Sequence, residues 1–419
     1  MPRAFNVPIF YRSQIISIVK QARRVTDPRK RDLTPSVLDF GPVRFKIARH
    51  FGFCYGVENA IEIAYRALDE NPDKRIFLLS EMIHNPHVNG DLRDRGVQFL
   101  CDTHGKQLIP FDILTPDDIV IVPAFGTTVE IQDALDQRGI NPYAYNTTCP
   151  FVEKVWKKSQ DIGKQNYTVV VHGKRYHEET RATFSHAKTK APVVVVRDLA
   201  EAGKLAQVLR GEVSREFFFQ HFAGRYGPGF DPDRHLRRIG VVNQTTMLAT
   251  ETQAIADLLR TAMVRRYGEE NIDEHFADTK DTLCYATKEN QDATMALIGD
   301  GGDLAVVVGG YNSSNTSHLV ELCEQEMPTY FTCDADELIS PERIRHLDLH
   351  TKTTCESVNW LPLAHPDGRT VDIVLTAGAS CPDALLDDVL RKIVSWFPQT
   401  HPIDVVLAPY REQVPNELS

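Results

Sequence analysis

The 419-residue chain has no apolar run long enough to cross a bilayer; its longer ones, such as Val193–Val196 and Leu304–Val308, are strand-sized. No secretory hydrophobic segment precedes a small-residue cleavage site. Excess positive charge is missing as well. Lys and Arg number 47 against 57 Asp and Glu, a formal −10, so the surface as a whole offers no footprint for nucleic acid or an anionic membrane. The eight cysteines, at positions 54, 101, 149, 284, 323, 333, 355 and 381, are scattered and include no Cys-x-x-Cys pair. That pattern excludes a dense disulfide scaffold, argues against a structural zinc site and points to a reducing compartment. With 42% hydrophobic and 25% charged residues, the composition is that of a soluble globular protein long enough for two or three domains.

Acidic residues are also lacking from residues 1–24, which carry five basic ones. A removed targeting segment has that composition. Against it, Ile15, Ile18, Val19 and Ala22 follow helical spacing, and Pro28 with a basic cluster then reads as a linker. An integral helix in a cytoplasmic, bacterial protein is the expectation; a removed segment covering residues 1–40 would instead suit a plastid.

Short β-branched runs alternate with helical segments along the rest of the chain, at 119–122, 169–171, 193–196, 239–242, 304–308 and 373–375. Such continuous apolar strands indicate α/β layers buried on both faces. Most of these strands end in a polar turn of small residues, where open α/β sheets place their ligands. The turns recur in three sets. The first holds Cys54, then His84-Asn85, then Pro123-Ala124-Phe125-Gly126-Thr127-Thr128. The second holds Cys149, then His172-Gly173 through His177-Glu178-Glu179-Thr180, then Asn243-Gln244-Thr245-Thr246. The third holds Cys284 within 281–285, then Asn312-Ser313-Ser314-Asn315, then Thr376-Ala377-Gly378-Ala379-Ser380. From cysteine to second element (His84, His177, Asn312) the gaps are 30, 28 and 28 residues. Three copies of one α/β unit, related by a pseudo-threefold axis, would bring three thiolates to one centre. The alternative is that small polar turns, which are common, happen to line up.

A helical stretch follows each of these cysteines, at 56–68, 151–160 and 286–296. A helix N-terminus lowers a thiol pKa and suits a metal ligand. Disulfide pairing cannot consume three thiols. Soft thiolates favour an iron–sulfur cluster, and three in place of the usual four leave one iron open to a substrate. Cys101, Cys323, Cys333, Cys355 and Cys381 read as small core hydrophobes. The turn at Asn312-Ser313-Ser314-Asn315 follows a strand and opens a helix, so hydroxyls, amides and free N–H groups there can cradle phosphate. The turn at Ser380 has the same logic. His84 and His177 can add charged donors, and Glu179 can be a buried proton donor. Taken singly, each has a plainer reading as a cap, a structural histidine or a solvated acid.

In these motifs the chain resembles the 4-hydroxy-3-methylbut-2-enyl diphosphate reductase family (IspH/LytB). The residues that carry the likeness are Gly52-Phe53-Cys54-Tyr55-Gly56-Val57, His84-Asn85, Thr148-Cys149-Pro150, His177-Glu178-Glu179-Thr180, Asn243-Gln244-Thr245-Thr246, Cys284-Tyr285-Ala286-Thr287, Asn312-Ser313-Ser314-Asn315 and Gly378-Ala379-Ser380. They run in order from about residue 44 to 390. The N-terminal stretch, the Pro123-Ala124-Phe125-Gly126 form and the segment 208–238 look like the plant and cyanobacterial branch. The resemblance implies a trefoil of three α/β domains around one [4Fe–4S] cluster held by Cys54, Cys149 and Cys284. It further implies reductive removal of a hydroxyl from an allylic diphosphate, giving isopentenyl and dimethylallyl diphosphates in the last step of the non-mevalonate isoprenoid pathway. Glu179 would deliver protons, aided by His177, and Thr245 would orient the hydroxyl. His84, His177, Ser313, Ser314, Asn315 and Ser380 would hold the diphosphate. A ferredoxin or flavodoxin would supply electrons, since no flavin or nicotinamide fingerprint is present.

The expected organisation is an N-terminal extension (1–43), α/β domains at 44–148, 149–282 and 283–390, and a C-terminal segment (391–419). Many relatives carry histidine where this chain has Phe125, which cannot donate to an anion; His87 or a water is the expected replacement. The aromatic segment 208–238 is too apolar for a solvated loop and suits a domain cap, a homodimer contact or core packing. Two rivals remain at this point: another open-iron enzyme, hydratase-like, acting on a phosphorylated substrate, and a zinc-stabilised binding module.

Overall fold

The computed structural model describes residues 5–277 and 282–414. Asp281 of the third cysteine motif, Arg3 of the basic N-terminal stretch and the final residues 415–419 lie outside the described residues. The chain forms two compact units. Among the described residues, one takes in 5–58, the four residues His84–His87 and 285–414; the other takes in 59–83, 88–277 and 282–284.

The first unit is built on a five-stranded sheet in the order Ser36–Asp39, Val43–Ile47, Val371–Ala377, Leu304–Val308, Thr329–Thr332. Its first pair is antiparallel and the rest are parallel, with Phe45 beside Ile373 and Val307 beside Thr376. Leu304–Val308 is fully buried along its length, as an unbroken Leu-Ala-Val-Val-Val run requires of a strand covered on both faces. A small antiparallel sheet of Leu338–Ser340, Arg343–Asp348 and Thr353–Val358 is appended. The strand Val43–Ile47 thus joins the sheet of the chain's last third.

The basic N-terminal stretch forms the helix Gln14–Thr26. Ser13 caps it, accepting the Ile16 N–H at 2.9 Å and donating to Asp387 at 2.6 Å. Ile15, Ile16, Val19 and Ala22 are its buried face; Ile16 takes the place that spacing assigned to Ile18, which is only partly buried. Lys20 bonds Asp383 at 2.7 Å, so the helix is part of the core of its unit.

The second unit has two parallel sheets, Gln98–Phe99, Ile76–Leu78, Ile119–Val122, Tyr145–Asn146 and Val193–Val196, Thr168–His172, Ile239–Asn243. The aromatic segment 208–238 turns out to be core. Phe218 stacks on Phe222 and Phe230 at 5.0 and 5.2 Å, and all three pack with Leu205, Leu209 and Leu259. Burying three phenyl rings stabilises this layer by several kcal/mol, on the order of 2 each. Among the described residues no helix is long and apolar enough to cross a membrane.

Candidate functional site

The candidate residues gather separately within each unit. In the second, the strand Thr168–His172 runs into the helix Glu178–Lys188, whose N-cap is His177. His177 Nδ1 accepts the Glu179 N–H at 3.2 Å. That bond assigns the proton of a neutral ring to Nε2 and leaves it as a donor. Glu179, only 1% exposed, is bonded by Thr245 at both oxygens: the Thr245 N–H donates to Oε1 at 2.5 Å and its hydroxyl to Oε2 at 2.9 Å. The Thr245 carbonyl accepts the Cys284 N–H at 3.2 Å. Acid and thiol are therefore fixed by the same residue. Asn243 braces the approach to Cys284, its side chain accepting the Thr282 N–H at 2.8 Å and its N–H donating to the Thr282 hydroxyl at 2.8 Å.

Cys149 is the N-cap of the helix Pro150–Lys164, with proline at the first position, where its missing N–H costs nothing. Burial first, then the neighbouring Cys284 and Glu179, push the Cys149 thiol up to about 11, against the Phe151 and Val152 amides that favour the thiolate. Two thiols and a buried carboxylate close enough to act on one another repel as anions, which a positively charged cluster held by the thiols would relieve.

In the first unit the strand Leu304–Val308 ends at Gly309-Gly310, and Ser313 caps the helix Ser314–Cys323 by accepting the Thr316 N–H at 3.2 Å. Ser313, Ser314, Asn315 and Ser380 are each less than a tenth exposed. Asn315 Oδ1 accepts the Ala379 N–H at 2.8 Å, whereas its Nδ2 is a buried donor without a partner. A buried amide donor left unpaired costs about 1–3 kcal/mol, which an anionic oxygen there would recover. Glycine is obligatory opposite this turn: a Cβ at Gly378 would stand 1.9 Å from Thr316 Oγ1. The Ser380 hydroxyl donates to the His84 carbonyl at 3.1 Å, so His84 lies in the same unit against the same turn. Cys54, just before the helix Tyr55–Glu70, donates its N–H to Ala379 at 3.2 Å. The Cys54 loop and the Ser380 turn are thereby locked together.

The cysteines divide by burial. Cys101, Cys323 and Cys381 are buried, as core residues should be, while Cys54, Cys149 and Cys284 are partly exposed. Cys333 and Cys355, also expected in the core, are only partly buried. Among the described residues no three or more His, Cys, Asp or Glu side chains are gathered as they would be on a single ion. A four-iron cube, by contrast, is held at separate irons and does not need its thiols in contact. Phe125 sets its ring edge-to-face on His177, 5.4 Å between centroids and 82° between planes. His87, expected as a replacement donor, turns Nε2 to Asp334 at 2.8 Å.

Three supporting contacts were not legible. Asn290 on the helix Tyr285–Gly299 donates to Asn315 Oδ1 at 3.4 Å, and its signal was the adjacent amide pair Asn290-Gln291 on a face shared with Ala286, Ala293 and Leu297. Gln244 Oε1 accepts the Lys174 N–H and the Thr180 hydroxyl at 3.1 and 2.9 Å, tying the two turns of the second motif set. Buried Glu178 accepts the Ser80 hydroxyl at 2.7 Å.

A family model described as LytB protein matches residues 45–394. A protein of Thermosynechococcus vestitus named 4-hydroxy-3-methylbut-2-enyl diphosphate reductase is 42% identical over 84% of this chain and 85% of its own length. One of Prochlorococcus marinus with the same name is 37% identical over 94% of this chain and 95% of its own. The solved structure of the E-1-hydroxy-2-methyl-but-2-enyl-4-diphosphate reductase from Plasmodium falciparum superposes with a TM-score of 0.60, covering 90% of this chain and 99% of that one at 19% identity. At that identity the likeness concerns the fold, and it bears out the α/β class.

Proposed function

The chain belongs to the LytB family, and from that premise we propose that it removes the hydroxyl of 4-hydroxy-3-methylbut-2-enyl diphosphate reductively, yielding isopentenyl and dimethylallyl diphosphates. The balance is two electrons and two protons in, one C–O bond broken, one C–H bond formed, and water out. The reading is carried by one observation: a 1% exposed acid, Glu179, has both oxygens on Thr245, the residue that also holds Cys284.

Cys54, Cys149 and Cys284 would hold a [4Fe–4S] cluster, one per chain. When bound, such a cluster supplies electrons and, with three thiolates rather than four, an open Lewis-acid position. Glu179 would give a proton to the departing hydroxyl and to the allylic carbon in turn, its position set by Thr245. The Thr245 hydroxyl, already a donor to Glu179, can orient the substrate hydroxyl toward that acid. His177, with its Nε2 proton assigned by the cap, would donate to the diphosphate without needing a charge. Ser313, Ser314, Asn315, Ser380 and His84 would complete the anion's shell. Phe125 contributes no donor and packs the His177 ring in place. An external one-electron protein, a ferredoxin or flavodoxin, would serve as reductant, and the cyanobacterial relatives support a cytoplasmic setting.

The decisive experiment is anaerobic turnover of the diphosphate by cluster-loaded protein with a chemical reductant. Wild type forms both products. A cluster-loaded wild type that releases neither removes the assignment.

A further inference from the structure

We propose that His87 and Asp334 form a positioning latch that holds the His84-Asn85 turn in the diphosphate cradle; this rests on the reading of that cradle as the site of the substrate's diphosphate. The four residues His84–His87 lie with the first unit, although the chain before and after them belongs to the second. Contacts at both ends of the turn tie them to that unit. The Ser380 hydroxyl donates to the His84 carbonyl at 3.1 Å. Gly310 lets the backbones approach, since a Cβ there would come 2.4 Å from the same carbonyl oxygen. His87 Nε2 meets Asp334 Oδ2 at 2.8 Å.

Only the last of these carries charge, and it anchors the turn at its far end. The turn itself is closed, because Asn85 Oδ1 accepts the His87 N–H at 3.0 Å. Asp334 is also fixed: its Oδ1 accepts the Asp336 N–H at 2.8 Å, and its carbonyl accepts the Thr332 hydroxyl at 2.8 Å. The latch therefore joins two rigid pieces, and what it moves is His84.

The groups facing His87 are Asp334 and Asp336 from the turn 334–337 and Asp388 from the helix Asp383–Val394. Lys392 on that helix is spent on the Ala335 carbonyl at 2.8 Å. The Asp334 hydrogen bond, opposed by burial, raises His87 above its ordinary value of 6.5, and the same bond lowers Asp334. A raised histidine contributes its contact fully below its unfolded pKa and loses it as pH climbs through the folded one. The latch thus closes in acid and neutral solution and opens on the alkaline side of 6.5. At 40% exposure for the His87 side chain, the pair is worth about a fivefold change in affinity rather than orders of magnitude.

The test is KM and kcat of the anaerobic holoenzyme from about pH 6 to 9 for wild type, His87→Lys and Asp334→Asn. Wild-type KM should rise about fivefold across the range, with kcat moving less than about twofold. His87→Lys keeps a cation opposite Asp334 and should flatten that rise. Asp334→Asn should raise KM at neutral pH and move the titration lower. A His87→Lys profile that tracks wild type overturns the latch, as does an Asp334→Asn KM unchanged at every pH. Turnover by wild type separates the two questions: without it the functional reading fails, and the latch is then judged by calorimetric binding of inorganic diphosphate to the same three proteins, with the same expected pattern. Equal melting temperatures for the three exclude misfolding.

Discussion

The proposed cradle of the first unit and the proposed acid site of the second pose different electrostatic problems and use different residues. Around Ser313, Ser314, Asn315 and Ser380 the polar groups are neutral: hydroxyls, amides and backbone N–H groups, with Asn315 Nδ2 still unpaired. Around Glu179 the groups are ionisable types, a carboxylate and two thiols, with the Cys149 thiol pushed up by burial and by its neighbours. Neutral donors do not themselves change charge with pH, whereas a site that gives and takes protons needs groups whose charge can change. Binding and chemistry should therefore separate cleanly under mutation.

The largest effect expected is on the metal. Cys149→Ser or Cys284→Ser should leave the purified protein short of iron by chemical analysis and bleached in the visible spectrum; full iron content in either variant would break the assignment of the second unit. Next, Glu179→Gln should keep its iron and its KM while kcat falls by about 10²–10⁴, measured with a chemical reductant. A change confined to KM would place Glu179 with the binding groups and erase the contrast. In the cradle the expected effect is smaller and of the other kind. Asn315→Ala should raise KM by about tenfold with kcat nearly unchanged. Smallest is a purely structural perturbation: Gly378→Ala, which drives a Cβ to 1.9 Å from Thr316 Oγ1, should cost about 1–3 kcal/mol of stability, read as a lowered melting temperature. If it instead left stability untouched, the cradle's backbone would be softer than its packing implies.

The α/β class, the helices after Cys54, Cys149 and Cys284, and the order of the motifs were all legible in the bare sequence. Each depends on local rules: strands of continuous β-branched residues, helix starts at small polar turns, and spacing within a few tens of residues. Periodicity even placed the N-terminal helix, though it misjudged the face by one residue at Ile16 and Ile18. The destination of Phe218, Phe222 and Phe230 was open because apolar content says that a segment must be covered but not by what.

Partnership was decided only by tertiary structure. His87 meets Asp334 across 247 residues, the Ser380 hydroxyl meets the His84 carbonyl across 296, and Val43–Ile47 finds Val371–Ala377 as its parallel neighbour. Spacing rules reach only as far as one element and its next turn. Which distant carboxylate accepts a given proton, and which strand completes a sheet, follow from the packing of whole layers, where burial and pairing are settled together.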